Sequence, residues 1–129
     1  MLVQGIYLPD GEKHFPEWME KNGEIVDGRG TYQIKKWRAC LPWIKQWRRA
    51  VDVGAHVGFW TIQMTPKFVK VEGFEPVQAM RECFSQNVGA RINVNVYAEA
   101  RGDFSGSVEM AYNPADSGGT HVARRSDGR

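Results

Sequence analysis

Two carboxylates, Asp52 and Glu75, have the type and spacing to do chemistry. Asp52 stands at the end of a short apolar run, just before the turn Gly54-Ala55-His56-Val57-Gly58. Glu75 ends a second such run, Val69 to Phe74, 21 positions after Gly54. An acid at that distance from a strand-ending glycine reaches the two hydroxyls of a ribose, because a carboxylate accepts two bonds from vicinal O–H donors. Gly54 turns with φ > 0 and lets backbone approach a ligand, and Gly58 removes a side chain where a helix begins. Two strands, a glycine turn and two acids describe a nucleoside-binding unit.

The glycine spacing discriminates among nucleotides. A dinucleotide fold prefers G-x-G-x-x-G, which seats a pyrophosphate on a helix N-terminus. Here the pattern is D-x-G-x-x-x-G, and no G-x-x-x-x-G-K-[ST] phosphate loop is present. An acid beside the first glycine disfavours a diphosphate and accommodates a cationic or neutral ligand. The sulfonium and amino group of S-adenosylmethionine fit those electrostatics.

The elements that must hold these residues follow from periodicity. Ala50 to Val53, Val69 to Phe74 and Ile92 to Ala98 read as strands. Val57 to Met64 and residues 77–88 read as the helices between them, the second with Met80, Cys83, Phe84 and Val88 on one face. Strands alternating with helices imply a parallel sheet with right-handed crossovers. In such a sheet ligands bind outside the carboxyl ends of the strands, where Gly54 and Gly58 lie. Ser107 to Tyr112 and Thr120 to Ala123 read as a hairpin, and Arg124 to Arg129 as a frayed polar end.

Residues 1–30 are dense in Gly and Pro and imply turns and short elements, with a short helix starting near Phe15-Pro16. Thr31 caps an expected helix running to about Arg48, interrupted at Pro42 by a kink or split there into two shorter helices, with Ile34, Trp37, Leu41, Ile44 and Trp47 in one apolar stripe. The same stretch carries Lys35, Lys36, Arg38, Lys45, Arg48 and Arg49. Basic residues interleaved with Trp can mark a nucleic-acid surface. A solvated face of an amphipathic helix whose tryptophans are core explains them better, and a nucleic-acid-binding module through residues 34–49 stands as the alternative from another class.

At 129 residues, with 42% hydrophobic and 25% charged residues, the chain has the size and composition of a single globular domain. A net charge of +2 does not imply nucleic acid or membrane as partner. Cys40 and Cys83 form no C-x-x-C and have no nearby His pair, so two reduced thiols in a cytoplasmic protein and no metal site are expected. No apolar run reaches the roughly 18 residues of a membrane span, and no signal peptide is read at the N-terminus.

The run Val51 to Trp60, followed by Phe74-Glu75-Pro76 and then Phe84 and Asn87, resembles the FkbM-type family of S-adenosylmethionine-dependent methyltransferases. Ala98 to Gly106 and the hairpin segment Asn113 to His121 are similar to later parts of that family. Tyr7 to His14 and Gly30 to Gln33 look like phage-encoded members. The resemblance implies an α/β fold: a Rossmann-like class I methyltransferase sheet, incomplete, with an N-terminal helical cap over residues 1–49 and a C-terminal β-hairpin within residues 50–129. It implies that Asp52, Gly54, Ala55 and Gly58 line the cofactor's methionine side. Glu75 would hold the ribose, and Glu99 and Ala100 would lie near the adenine.

The family continues past this hairpin with an I-K-I-D-type strand, which nothing after Ser126 supplies. Three expectations follow: a truncated methyltransferase, a small protein whose open sheet edge pairs with another copy, or a protein that binds or degrades S-adenosylmethionine without methylating. If the chain is complete, it is expected to self-associate. Methyl transfer to a hydroxyl of a small molecule or glycan requires alignment, exclusion of water and a base within reach. Of the three histidines, His14, His56 and His121, the last two are the candidate bases.

Overall fold

In the computed structural model, residues 1–126 are described. The first thirty hold two tight hairpins around a helix. β1 (Leu2–Val3) pairs with β2 (Ile6–Tyr7), and β3 (Ile25–Val26) with β4 (Arg29–Gly30), both antiparallel. The turns are Gln4-Gly5 and Asp27-Gly28, all four at positive φ between 47° and 76°. Paired positive φ is the hairpin geometry whose twist matches the flanking strands. Between the hairpins, α1 (His14–Asn22) turns Phe15 and Met19 inward. Its first turn is capped from upstream, since Glu12 Oε1 accepts the N–H groups of His14 at 2.9 Å and Phe15 at 3.3 Å.

α2 (Ile34–Cys40) is much shorter than the helix expected over 31–48. After Cys40 the chain tightens into one 3₁₀ turn, Leu41–Trp43, containing Pro42, and then runs extended. Proline has no N–H to offer the helix, and its ring crowds the preceding turn. By Trp47 the backbone has joined the sheet, its carbonyl accepting the N–H of Val69 at 2.9 Å. Trp37 is buried and Trp47 half-buried against Phe68, while Trp43 is 80% exposed.

β5 (Arg49–Val53), β6 (Lys70–Phe74) and β7 (Val94–Tyr97) form a parallel sheet in that order, joined by α3 (Phe59–Met64) and α4 (Gln78–Val88). β8 (Val108–Ala111) and β9 (His121–Arg125) form an antiparallel pair around a 3₁₀ turn, Ser117–Gly119. Arg124 and Arg125, expected to be frayed, belong to β9; residues 127–129 lie outside the described part.

Consecutive neighbours joined by right-handed crossovers place both helices on one side of the sheet. That side carries Ala50, Val71, Gly73, Val94 and Val96, against Met64 of α3 and Phe84 and Val88 of α4. The other side carries Arg49, Val51, Val53, Lys70, Glu72 and Phe74, by the alternation of strand side chains. There Val51 and Val53 are exposed, and buried Glu72 is held between Arg49 and Lys70.

The cap and the sheet unit share one core. Ile6, Leu8, Phe15 and Met19 pack with Val57, Phe59 and Cys83. Burying each large apolar side chain of this kind contributes roughly 1.5–3 kcal/mol. Asn87 of α4 stitches the two parts together. Its Oδ1 accepts the N–H of Tyr7 at 2.7 Å, and its Nδ2 donates to the carbonyls of Tyr7 at 2.9 Å and Val57 at 2.8 Å.

Candidate functional site

A cavity of about 620 Å³ lies at the carboxyl ends of β5 and β6. The glycine turn forms its floor. Gly54 takes φ 74° and Gly58 takes φ 93°, with His56 also left-handed at φ 53°. The turn is pinned to the end of β6 by the Phe74 carbonyl, which accepts the N–H groups of Gly54 at 2.9 Å and Ala55 at 3.0 Å. A Cβ added to Gly54 meets nothing within 4 Å, so this glycine opens onto free space. Gly58 is different: an added Cβ would come within 3.1 Å of Phe84 and Val88, so its bareness lets α3 pack against α4.

Asp52 and Glu75 both line the cavity. Asp52 Oδ2 accepts the hydroxyl of buried Thr61 at 2.7 Å. Burial pushes the Asp52 carboxyl above its usual range, against the lowering effect of the Thr61 bonds. Glu75, 4% exposed, has each oxygen on a backbone donor: Oε2 on the N–H of His56 at 3.0 Å, and Oε1 on the N–H of Val77 at 2.9 Å. Burial pushes the Glu75 carboxyl up as well, and Asp52 adds to the rise. The acid at the end of β6 therefore also fastens the glycine turn.

His56 stacks against Phe15 and Phe59, with ring centroids 4.7 Å and 6.3 Å away. Burial pulls its pKa down to about 4, opposed by the carboxylates of Glu12 and Asp116. Its Nε2 lies 2.7 Å from Ser117 Oγ, while its Nδ1 is buried with no partner among the described residues. An unpaired buried acceptor costs roughly 1–3 kcal/mol. Phe15 and Tyr32 from the cap and Phe59 and Trp60 from α3 give the wall its aromatic part, and Gln33 and Thr120 add polar groups. Arg101 closes one side, its guanidinium 3.8 Å from the centroid of the Phe74 ring.

Of the residues singled out by sequence, Asp52, Gly54, Ala55, His56, Glu75, Ala100 and His121 meet around this cavity. Gly58 lies behind the turn. Glu99 points to solvent beside Arg101, 3.9 Å away, and borders a neighbouring depression. His121 sits at the rim, its Nδ1 2.9 Å from the Gly119 carbonyl. Sequence reasoning did not find Glu12, Phe15, Tyr32, Arg101 or Ser117. No short motif marks them: Phe15, Tyr32, Arg101 and Ser117 reach the cavity from the cap, the segment after β7 and the hairpin, and Glu12 lies behind Ser117. Among the described residues no cluster of His, Cys, Asp or Glu has the arrangement to hold a metal, and no helix is long and apolar enough to cross a membrane.

The sequence matches no protein-family model and no curated protein. Among solved structures, it is similar to a protein from Listeria monocytogenes described as a candidate S-adenosylmethionine-dependent methyltransferase. That likeness has 15% identity and a TM-score of 0.45, over 58% of this chain. The matched region spans 35% of the Listeria chain.

Proposed function

We propose that the chain binds S-adenosylmethionine in the cavity at the ends of β5 and β6 and serves methyl transfer to a hydroxyl of a small molecule or glycan. The observation that carries this reading is the meeting of Asp52, the open Gly54 turn and Glu75 at the mouths of two adjacent parallel strands. Ligand sites in open α/β sheets lie at this end of the strands, and a cavity of about 620 Å³ falls in the range of small-molecule sites.

The residues present suit the cofactor. Two carboxylates and an unpartnered histidine nitrogen are hydrogen-bond acceptors, and the cofactor brings an ammonium, ribose hydroxyls and a sulfonium. Each Glu75 oxygen keeps lone-pair capacity for a ribose hydroxyl after accepting its backbone bond. When bound, the cofactor supplies a methyl group already activated by positive sulfur. The protein's task is then alignment and exclusion of water. The Phe15, Tyr32 and Phe59 wall serves the second. His56 and His121 are the candidates to take the acceptor's proton. A hydroxyl acceptor, and membership of an FkbM-type, phage-like group, rest on the motif resemblance.

Thermal unfolding with added nucleosides tests the reading. A ligand at 100 times its Kd stabilises a fold by about 2.7 kcal/mol, so S-adenosylmethionine should raise the melting temperature by several degrees. NAD and ATP should not, since a diphosphate meets Asp52 beside the turn. An equal shift with all three would remove the case for this cofactor.

A further inference from the structure

Glu12, Ser117 and His56 form a buried hydrogen-bonded line that cofactor contacts with Asp52 and Glu75 do not require. Glu12 is 3% exposed and Ser117 1%. Glu12 Oε1 already accepts the two backbone N–H groups at the start of α1. Its Oε2 accepts the Ser117 N–H at 2.8 Å and the Ser117 hydroxyl. A hydroxyl has one proton and two lone pairs. With that proton given to Glu12, Ser117 Oγ offers a lone pair to His56 Nε2, 2.7 Å away. Nε2 must then carry the imidazole proton, and Nδ1 is left as a bare acceptor. Nδ1 is the buried atom without a protein partner, in a residue that lines the cavity.

We propose that Glu12 and Ser117 lock His56 as its Nε2–H tautomer and so reserve Nδ1 to accept a hydrogen bond from an N–H or O–H group of the ligand in the cavity. Glu12 and Ser117 are thus positioning residues supplied by the cap and the hairpin to the glycine turn. The tautomer stands on the hydrogen-bond network alone. The ligand half rests on the reading of the cavity as an S-adenosylmethionine site.

Nitrogen-15 NMR of the full-length protein decides both halves. Long-range proton–nitrogen correlations at pH 7 report which imidazole nitrogen is protonated, and H56N identifies the His56 signals among three histidines. Without ligand, His56 should show a protonated Nε2 and an unprotonated Nδ1. S117A should abolish this fixed state in favour of a tautomer mixture. E12Q leaves one amide oxygen for the two backbone sites that Glu12 serves, so the Ser117 hydroxyl loses its fixed acceptor and the single tautomer should give way to a mixture. On saturation with S-adenosylmethionine, the Nδ1 resonance of the unsubstituted protein should move upfield while Nε2 stays protonated. A protonated Nδ1 in the free protein overturns the lock, whatever the variants do. Binding seen by calorimetry with an unmoved Nδ1 overturns the ligand half and leaves the network purely structural. Absence of binding overturns the cofactor reading together with the ligand half, while the free-state tautomer still decides the lock.

Discussion

His56 is the residue where the site's chemistry and the fold's stability meet. In the folded protein its pKa falls from 6.5 to about 4, chiefly because burial disfavours the imidazolium. The unfolded chain therefore binds more protons between those two values, and stability must fall as pH falls through that window. The contribution is fully present above about pH 6.5. At roughly 1.4 kcal/mol per pKa unit, its loss approaches about 3 kcal/mol by pH 4. Asp52 and Glu75 work in the opposite sense, because their carboxyls are pushed up and the folded state holds their protons more tightly. A comparison isolates the histidine. Denaturant unfolding of H56N, in which Asn tolerates the left-handed backbone, should lose less stability from pH 7 to 4 than the unsubstituted protein. Parallel pH curves would place the titration elsewhere. Asp52 and Glu75 were legible in the sequence because strand ends and glycine spacing are local signals. Glu12 and Ser117 were not: they are 105 positions apart and are joined only by the closed fold.

At the scale of elements, the sequence showed the β5–α3–β6–α4–β7 order plainly, since apolar periodicity marks each piece. Besides Arg124 and Arg125, which belong to β9 rather than to a frayed end, two readings differed. The basic, Trp-rich stretch was expected to stay helical to about Arg48 with a kink or break at Pro42, and the helix does not resume after it: a short helix and one 3₁₀ turn lead into the approach to β5. The hairpins of the cap went unread because two-residue strands carry no periodicity. Their signal was nevertheless present: Asp27-Gly28 between Ile25-Val26 and Arg29-Gly30 is a strong turn dipeptide. The join between cap and sheet unit depends on Asn87, whose amide satisfies groups on both. Asn87→Ala would leave the Tyr7 N–H and two carbonyls without these partners. Equilibrium unfolding should show a loss of about 2–4 kcal/mol, from roughly 1–3 kcal/mol per orphaned buried group with partial relief by water. A loss below about 0.5 kcal/mol would mean that the cap is held by its apolar core alone.

For the whole molecule, the two sides of the parallel sheet are dressed differently: away from the crossover helices Glu72 and Phe74 are buried, but β5 is open. Both crossover helices lie on the Ala50–Val71 side, and Val51 and Val53 on the other are 50% and 60% exposed. The cavity lies at the ends of the strands, where the glycine turn, the cap and the β8–β9 hairpin converge, and Val53 and Phe74 of that second face are part of its lining. On the proposed reading, cofactor binding is therefore expected of this chain by itself. Calorimetric titration of the full chain with S-adenosylmethionine tests this most directly. Binding at micromolar concentration, with one site per chain and at least a tenfold loss in D52N and in E75Q that still fold, is the expected result. The absence of heat at millimolar cofactor, or unchanged affinity in both variants, would contradict the assignment of this cavity.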